Sequence, residues 1–106
     1  MKSRRKEFRY GDFNVPVRFR TAYEEGSALL VNISTGGCSL RDVYPVMNPM
    51  EVFLLTIDTD DLENPIEAKA VVLRIKGETL AAQFTRIPPA SQKLLRRYFA
   101  KKLRNQ

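Results

Sequence analysis

The fold is decided by residues 14–43, which read NVPVRFRTAYEEGSALLVNISTGGCSLRDV. Apolar and polar residues alternate at the start of this stretch, where Val15, Val17 and Phe19 share one face of an extended chain. Side chains of a strand alternate between its two faces, so the pattern predicts a half-buried β-strand, and Pro16 suggests a sheet edge. The turn residues EEG and STGG divide the remainder into two further strands.

The two strands that follow show the same alternation. Leu29, Val31 and Ile33 are expected to face the core together in the first, and Cys38 and Leu40 in the second. Outside this stretch, turn residues separate three more strand patterns, at 50–57, 66–75 and 79–85. Six short strands at hairpin spacing predict an all-β fold, either an antiparallel barrel or a sandwich.

The hydrophobic period changes after residue 88. At a spacing of 3.6 residues one stripe is apolar and comprises Leu94, Leu95, Tyr98, Phe99 and Leu103. The opposite stripe is basic and comprises Lys93, Arg96, Arg97, Lys101 and Arg104. This pattern, with two prolines at its start, predicts an amphipathic helix over 88–104 that covers the β-structure or pairs with another chain.

The length of 106 residues predicts a single domain, in which a basic arm at 1–12 precedes β-structure at 13–86 and the helix. The apolar runs are too short to span a bilayer, and no secretion signal is recognisable. A lone cysteine, Cys38, cannot form an internal disulfide and fits a reducing compartment. The sequence therefore predicts a cytoplasmic protein without a membrane span.

The net charge of +6 is concentrated at the two ends of the chain. Residues 1–9 carry five basic side chains and one acidic side chain, and residues 88–106 carry six basic and no acidic ones. Both ends therefore favour an anionic partner, such as a nucleotide, a nucleic acid, a membrane surface or an acidic protein.

The chain contains no histidine, which excludes a Ser–His or Cys–His catalytic pair. It also lacks the phosphate-loop and dinucleotide-binding motifs, so no enzymatic activity is expected. The acidic segment at 58–69, DTDDLENPIEAK, departs from a calcium-binding loop at Glu63 and Lys69. No metal site and no cofactor are therefore expected.

The segment NISTGG, residues 32–37, places polar groups at the end of a strand. Asn32 and Ser34 share the outer face, where an amide and a hydroxyl group can donate and accept hydrogen bonds. Gly36 and Gly37 are expected to allow positive φ angles and a close approach of the backbone. Ordinary hairpin turns have a similar composition, so this segment alone leaves both a turn and a ligand site open.

The segment RRKEFRY, residues 4–10, holds three arginines. Arg5 and Arg9 are four residues apart, and Arg4 directly precedes them. A guanidinium group binds phosphate bidentately, pairs with the O6 and N7 edge of guanine, or stacks on a base. Three such groups suit a compact guanine nucleotide, whereas the simpler interpretation is a disordered basic tail.

Taken together, the two segments resemble the motifs of the PilZ domain family, RxxxR followed by [D/N]xSxxG. The first motif stands at 5–9, the second at 32–37, and the resemblance extends over residues 4–85. It implies a six-stranded antiparallel β-barrel of the PilZ type with a C-terminal helix, which binds the bacterial second messenger cyclic di-GMP. The last strand departs from the family, because Ala81 and Ala82 stand where a glycine often precedes the aromatic residue.

The resemblance also implies roles for individual residues. The implied ligand-binding residues are Arg4, Arg5, Arg9, Asn32, Ser34, Gly36 and Gly37. Strand alternation adds Arg41 and Arg74, each of which either lines the ligand or is an ordinary surface arginine. The additional guanidinium of Arg4 favours a self-intercalated pair of ligands, and hence two cyclic di-GMP molecules per chain.

On this interpretation the protein is a cyclic di-GMP receptor whose arm becomes ordered on binding and signals to an unidentified downstream protein in motility or biofilm control. One alternative is a small basic barrel that binds nucleic acid, which would need exposed aromatics for base stacking. Only Phe8 and Tyr10 flank the arginines, so nucleic acid is disfavoured. The other alternative is a PilZ-like adaptor that works through protein contacts alone and usually lacks the arginines.

Overall fold

The computed structural model describes residues 14–34, 36–59 and 64–104, and for residue 99 and residues 101–104 it describes the backbone alone. The elements are β1 (Val15–Arg20), β2 (Glu25–Ile33), β3 (Gly37–Tyr44), β4 (Val52–Ile57), β5 (Ile66–Lys76), β6 (Thr79–Arg86) and the helix α1 (Pro89–Arg104). The strands pair antiparallel and close into a barrel in the order β1-β2-β3-β6-β5-β4. The predicted six-stranded antiparallel barrel with a C-terminal helix is confirmed.

The barrel interior is filled by inward side chains that alternate along the strands. The largest side chains with less than 2% of their surface exposed are Phe53, Leu30, Ile33, Leu40, Leu55, Ile57, Ile66 and Val72. On β1, Val15, Val17 and Phe19 are buried, as the alternation predicted. Phe19 packs edge-to-face on Phe53 with ring centroids 6.1 Å apart, an arrangement that aromatic pairs prefer. The core therefore fixes which face of each strand remains available for binding.

The β2 strand contains a bulge that changes its alternation. The pairing with β3 shifts register between Leu30 and Asn32, so that Leu30 and Ile33 are both buried. Leu29 and Val31 are half-buried on the outside, and the prediction that they face the core was wrong. The physical reason is that a bulge inserts one unpaired residue and reverses the phase of the side chains that follow it. Asn32 is thereby turned outward.

The β1 strand has a neighbour on each side, although Pro16 suggested an edge. β1 pairs with β2 along its whole length, but its pairing with β4 runs from Arg18 to Arg20 among the described residues. Pro16 precedes that segment, in the half of β1 where no β4 residue is paired with it. A proline has no N–H to donate to a neighbouring strand, so it is tolerated in this half of β1, where β4 does not require a donor.

The helix α1 packs its apolar stripe on the barrel. Tyr98 is 5% exposed and belongs to the core, and Leu94 and Leu95 are partly buried against the same cluster. The hydroxyl of Thr59 donates to the phenolic oxygen of Tyr98 at 3.5 Å. The predicted packing is confirmed for these three stripe residues, whereas the side chains at 99 and 103 lie outside the described part. Within that part, no helix has the length and hydropathy needed to cross a bilayer.

Candidate ligand-binding site

The turn between β2 and β3 is closed by the backbone and the side chain of Ser34. The backbone N–H of Ser34 donates to the carbonyl of Gly37 at 2.8 Å. Its hydroxyl donates to the same carbonyl and accepts from the N–H of Gly36, both at 3.4 Å. The N–H of Phe84 on β6 donates to the carbonyl of Gly36 at 2.9 Å, which ties the turn to the neighbouring strand. The turn is therefore held in place before any ligand binds.

The two glycines of the turn have different roles. A Cβ atom at Gly37 would collide with the backbone carbonyl of Ala82 on β6, whereas a Cβ at Gly36 would meet nothing within 4 Å. Gly37 has no φ angle in the left-handed region, so the positive φ that a glycine permits is not used there. The expected close approach of the backbone is confirmed at Gly37, where a side chain would force β3 away from β6.

Beside the turn, four outward residues form a row across four strands. Asn32 on β2 lies opposite Ser39 on β3, Ser39 opposite Ala81 on β6, and Ala81 opposite Arg74 on β5. We name these four residues the cross-strand row. Neighbouring strands are about 4.8 Å apart, so the row extends about 14 Å over the barrel surface. It offers an amide, a hydroxyl and a guanidinium group along one line.

An open depression of about 240 Å³ lies where the row meets the turn. Its lining residues are Asn32, Ser34, Gly36, Gly37, Cys38, Ser39, Leu73, Ala82 and Gln83. The structure thus brings together the four residues predicted from the second motif. Ser39 and Gln83 were missed, although their alternation with buried Leu40 and Ala82 marked them as outward polar residues. The place of Leu73 in the lining could not have been predicted, because it depends on the register shift between Val72 and Arg74, which has no signal in the sequence.

The described lining of this depression carries no charged side chain. None of its described lining residues is acidic. Burial raises the pKa of the Cys38 thiol to about 12, so this side chain remains neutral and neither repels an anion nor acts as a nucleophile. Two other depressions of similar volume, about 270 and about 280 Å³, each include two carboxylates among their lining residues. Those are Asp42 and Glu78 in one, and Glu25 and Glu67 in the other.

Arg41 and Arg74, the two candidate ligand residues that strand alternation added, have different surroundings in the structure. The guanidinium of Arg41 donates to the Oδ1 atom of Asn14 at 3.0 Å. Arg41 lies two residues beyond Ser39 on β3, opposite Thr79. Arg74 is exposed, follows Leu73 directly and makes no ion pair or side-chain hydrogen bond with other described residues. Arg4, Arg5 and Arg9 lie outside the described residues.

The described residues contain no cluster of histidine, cysteine, aspartate or glutamate side chains that could hold a metal ion. The site therefore consists of neutral hydrogen-bonding groups and an arginine on an open barrel face. Such an arrangement is typical of a binding domain for a small, polar, anionic ligand.

Comparisons with known proteins identify the family. The family model of the PilZ domain matches residues 3–101, and the chain belongs to this family. The structure is similar to that of the inhibitor of motility MotI (DgrA) from Bacillus subtilis, with a TM-score of 0.76 and 26% sequence identity. That match covers 99% of this chain and 54% of MotI, so the chain spans about half the length of that protein.

Two further structures share the fold at lower sequence identity. The PilZ domain of YcgR from Escherichia coli, solved with cyclic di-GMP, gives a TM-score of 0.71 at 15% identity, covering 97% of this chain and 94% of that domain. The PilZ domain of CeSA from a cellulose-synthesizing bacterium gives 0.69 at 14% identity, covering 90% of this chain and 98% of that one. No curated protein sequence matched the chain.

Proposed function

We propose that the protein is a cytoplasmic bacterial receptor for cyclic di-GMP and that it carries out no catalysis. The observation that supports this most directly is the acid-free depression beside the cross-strand row, built on the Asn32-x-Ser34-x-x-Gly37 turn. PilZ domains are ligand-binding receptors rather than enzymes. The similarity to the YcgR domain solved with cyclic di-GMP points to the same ligand.

In this proposal Arg5 and Arg9 bind phosphate oxygens and guanine edges, because a guanidinium fork matches both. Asn32 and Ser34 contact the nucleotide from the barrel, and Gly37 keeps β3 close to β6 beneath it. The side-chain amide of Asn32 makes no hydrogen bond to other described residues, so it can bind a ligand without first breaking such a bond. The hydroxyl of Ser34 retains acceptor capacity beside its two long turn contacts.

The size of the depression supports a contribution from the arm, residues 1–12. Small-molecule sites typically enclose about 300–1,000 Å³ and bury most of their ligand. The open depression of about 240 Å³ falls short of this range, so a cyclic dinucleotide would remain largely uncovered by the described barrel. The arm precedes β1, and the bond from Arg41 to Asn14 fixes the point where it joins the barrel. Folding of the arm over the ligand would supply the missing contacts.

Binding of this kind couples the ligand to order in the arm. Phosphate charge offsets the repulsion among Arg4, Arg5 and Arg9, and the folded arm presents a new surface to a downstream protein. The domain then works as one unit, with the arm at 1–12, the barrel at 13–86 and the helix at 88–104. The extra guanidinium of Arg4 favours a stacked pair of ligands, which gives two cyclic di-GMP molecules per chain.

The similarity to an inhibitor of motility makes a motility output the first to test, with biofilm control as the second. An adaptor that binds no ligand remains the alternative for a PilZ domain, and it predicts no heat on titration. The decisive experiment is calorimetric titration of the full chain with cyclic di-GMP, with GTP and a short single-stranded DNA as controls. Saturable binding of cyclic di-GMP supports the receptor proposal, and no binding overturns it. A stoichiometry of two per chain supports the role given to Arg4, and one per chain under tight-binding conditions contradicts that role alone.

Amide hydrogen exchange tests the ordering step separately. Amides of residues 1–12 are expected to exchange more slowly when cyclic di-GMP is bound, while those of β3 and β6 change little. Equal exchange of the arm in both states, at saturating ligand, would contradict the switch and leave the receptor assignment intact.

A further inference from the structure

We propose that Arg74 adds to the base specificity of the site beside the guanine contacts assigned to Arg5 and Arg9, by binding the O6 and N7 atoms of one guanine so that guanine-containing cyclic dinucleotides are selected over adenine-containing ones. This inference rests on the proposed function, because it concerns the same site. It adds a residue on β5, from outside both sequence motifs, and gives it a chemical task that the neutral residues of the site cannot perform.

The register places Arg74 at the site. It lies opposite Ala81, which lies opposite Ser39, so Arg74 and Ser39 are two interstrand steps or about 10 Å apart. The residue between them is an alanine, whose small side chain leaves the space above β6 open. The bulge before Arg74 sets Leu73 into the lining of the depression with 50% of its surface exposed. An exposed aliphatic side chain beside the guanidinium provides an apolar surface for the face of a base.

The guanidinium of Arg74 is available to a ligand. Arg18, on the other side of the barrel, is paired with the Asp58 carboxylate at 3.4 Å, and Arg41 is bound to Asn14. Arg74 has no such partner among the described residues. A base edge can therefore bind its donors without displacing a carboxylate.

The chemistry of the two purines supplies the selectivity. Guanine presents two acceptors, O6 and N7, along its major-groove edge, whereas adenine presents the acceptor N7 beside the donor N6. Arginine has donors alone, so it satisfies both positions of guanine and one position of adenine. Asn32, Ser39 and Gln83 each carry donors and acceptors, and can adapt to either base. Discrimination from the barrel side must therefore come from Arg74.

Titrations with cyclic di-GMP and cyclic di-AMP test this, using the parent chain and the variants Arg74→Gln, Arg74→Lys and Lys76→Gln. Arg74→Gln should bind cyclic di-GMP about tenfold more weakly and lose little or no affinity for cyclic di-AMP, because glutamine pairs with the N6 and N7 edge of adenine. Arg74→Lys keeps the charge and, like arginine, carries donors alone, so it should retain part of the preference for guanine. Lys76→Gln removes the same charge from an exposed position on the same strand and should leave the ratio of the two affinities unchanged.

An Arg74→Gln variant that weakens both dinucleotides equally, as expected for Lys76→Gln, would overturn the specificity role while leaving the receptor assignment standing. Failure of the parent to bind either dinucleotide would overturn the receptor assignment, and this inference with it.

Discussion

Two depressions on opposite sides of the barrel have similar volumes, about 240 Å³ beside the β2–β3 turn and about 280 Å³ over β1 and β4, but different chemistry. The second holds more charge, because Arg18 and Arg20 line it together with Glu25 and Glu67. Arg20 lies directly opposite Glu25 in the β1–β2 pairing. The first has no acidic side chain among its described lining residues, and Arg74 directly follows its lining residue Leu73 in the chain.

The comparison shows that arginines alone do not make an anion site on this barrel. Over β1 and β4 each positive charge has a carboxylate nearby, so an incoming phosphate would meet as much repulsion as attraction. Beside the turn, the neutral groups of the depression face solvent, and the guanidinium of Arg74 has no ion pair with other described residues. A dinucleotide is expected to gain more there, because no ion pair between described residues has to break to admit it.

The largest effect is expected from Gly37→Ala, which attacks the backbone contact that forms the depression beside the turn. The new methyl group would meet the Ala82 carbonyl, a backbone atom that cannot move aside without shifting β6. We expect the free energy of unfolding to fall by about 3 kcal/mol, in the upper part of the range for overpacked sites. Denaturant unfolding measures this, with Gly36→Ala as the matched control, since its methyl group would enter open space. Equal stability of the two variants would show that β3 and β6 can separate at little cost.

The next largest effect is expected from removing arginines of the arm, compared with removing arginines of the depression over β1 and β4. Arg5→Ala and Arg9→Ala should each weaken cyclic di-GMP binding by about thirtyfold, or about 2 kcal/mol, through loss of a charge-assisted bidentate contact. Arg9→Lys should recover little, because lysine lacks the planar fork. The matched controls Arg18→Ala and Arg20→Ala remove the same charge over β1 and β4 and should bind normally. If all four alanine variants lose affinity alike, the arginines act through net charge and the contrast between the two sides disappears.

A smaller effect is expected from making the first depression resemble the second. Ser39→Asp introduces a carboxylate into the cross-strand row and should weaken cyclic di-GMP binding by about tenfold, through repulsion of the phosphates. Ser39→Asn serves as the control, because asparagine has nearly the same size as aspartate but no charge. Titration in low and high salt separates the two causes, because the charge effect should shrink as screening increases. A loss of equal size in both variants would mean that shape, rather than charge, excludes the ligand.

The smallest effect separates the two polar residues of the turn motif. Asn32→Ala should weaken cyclic di-GMP binding by about fivefold, or about 1 kcal/mol. The melting temperature should not change, because the side-chain amide of Asn32 makes no hydrogen bond to other described residues. Ser34→Ala should lower both the affinity and the melting temperature slightly, since its hydroxyl also bonds within the turn. Calorimetry and thermal melting on the same samples check both. A lower melting temperature for Asn32→Ala would reassign that residue to the turn.

The sequence was informative wherever a single period or a local motif carried the signal. Alternation on β1 and the change to a 3.6-residue period after residue 88 were enough to predict a buried strand face and a packed helix. The turn motif placed Asn32 and Ser34 outward, which the structure supports, although the alternation assumed for β2 was wrong. The error came from the bulge before Asn32, which depends on pairing with β3 and has no local signature.

The sequence by itself determined the strand pattern, the helix, the family motifs and the absence of a histidine-based catalytic site, because these depend on residue types and short spacings. Only the tertiary structure decided that the barrel closes, that a carbonyl on β6 leaves no room for a side chain at Gly37, and that Arg74 lies in register with Ala81 while Arg41 bonds to Asn14. Each of these depends on the register between strands far apart in the chain. Register is set by the core that the strands bury together, and one bulge shifts it for every residue that follows.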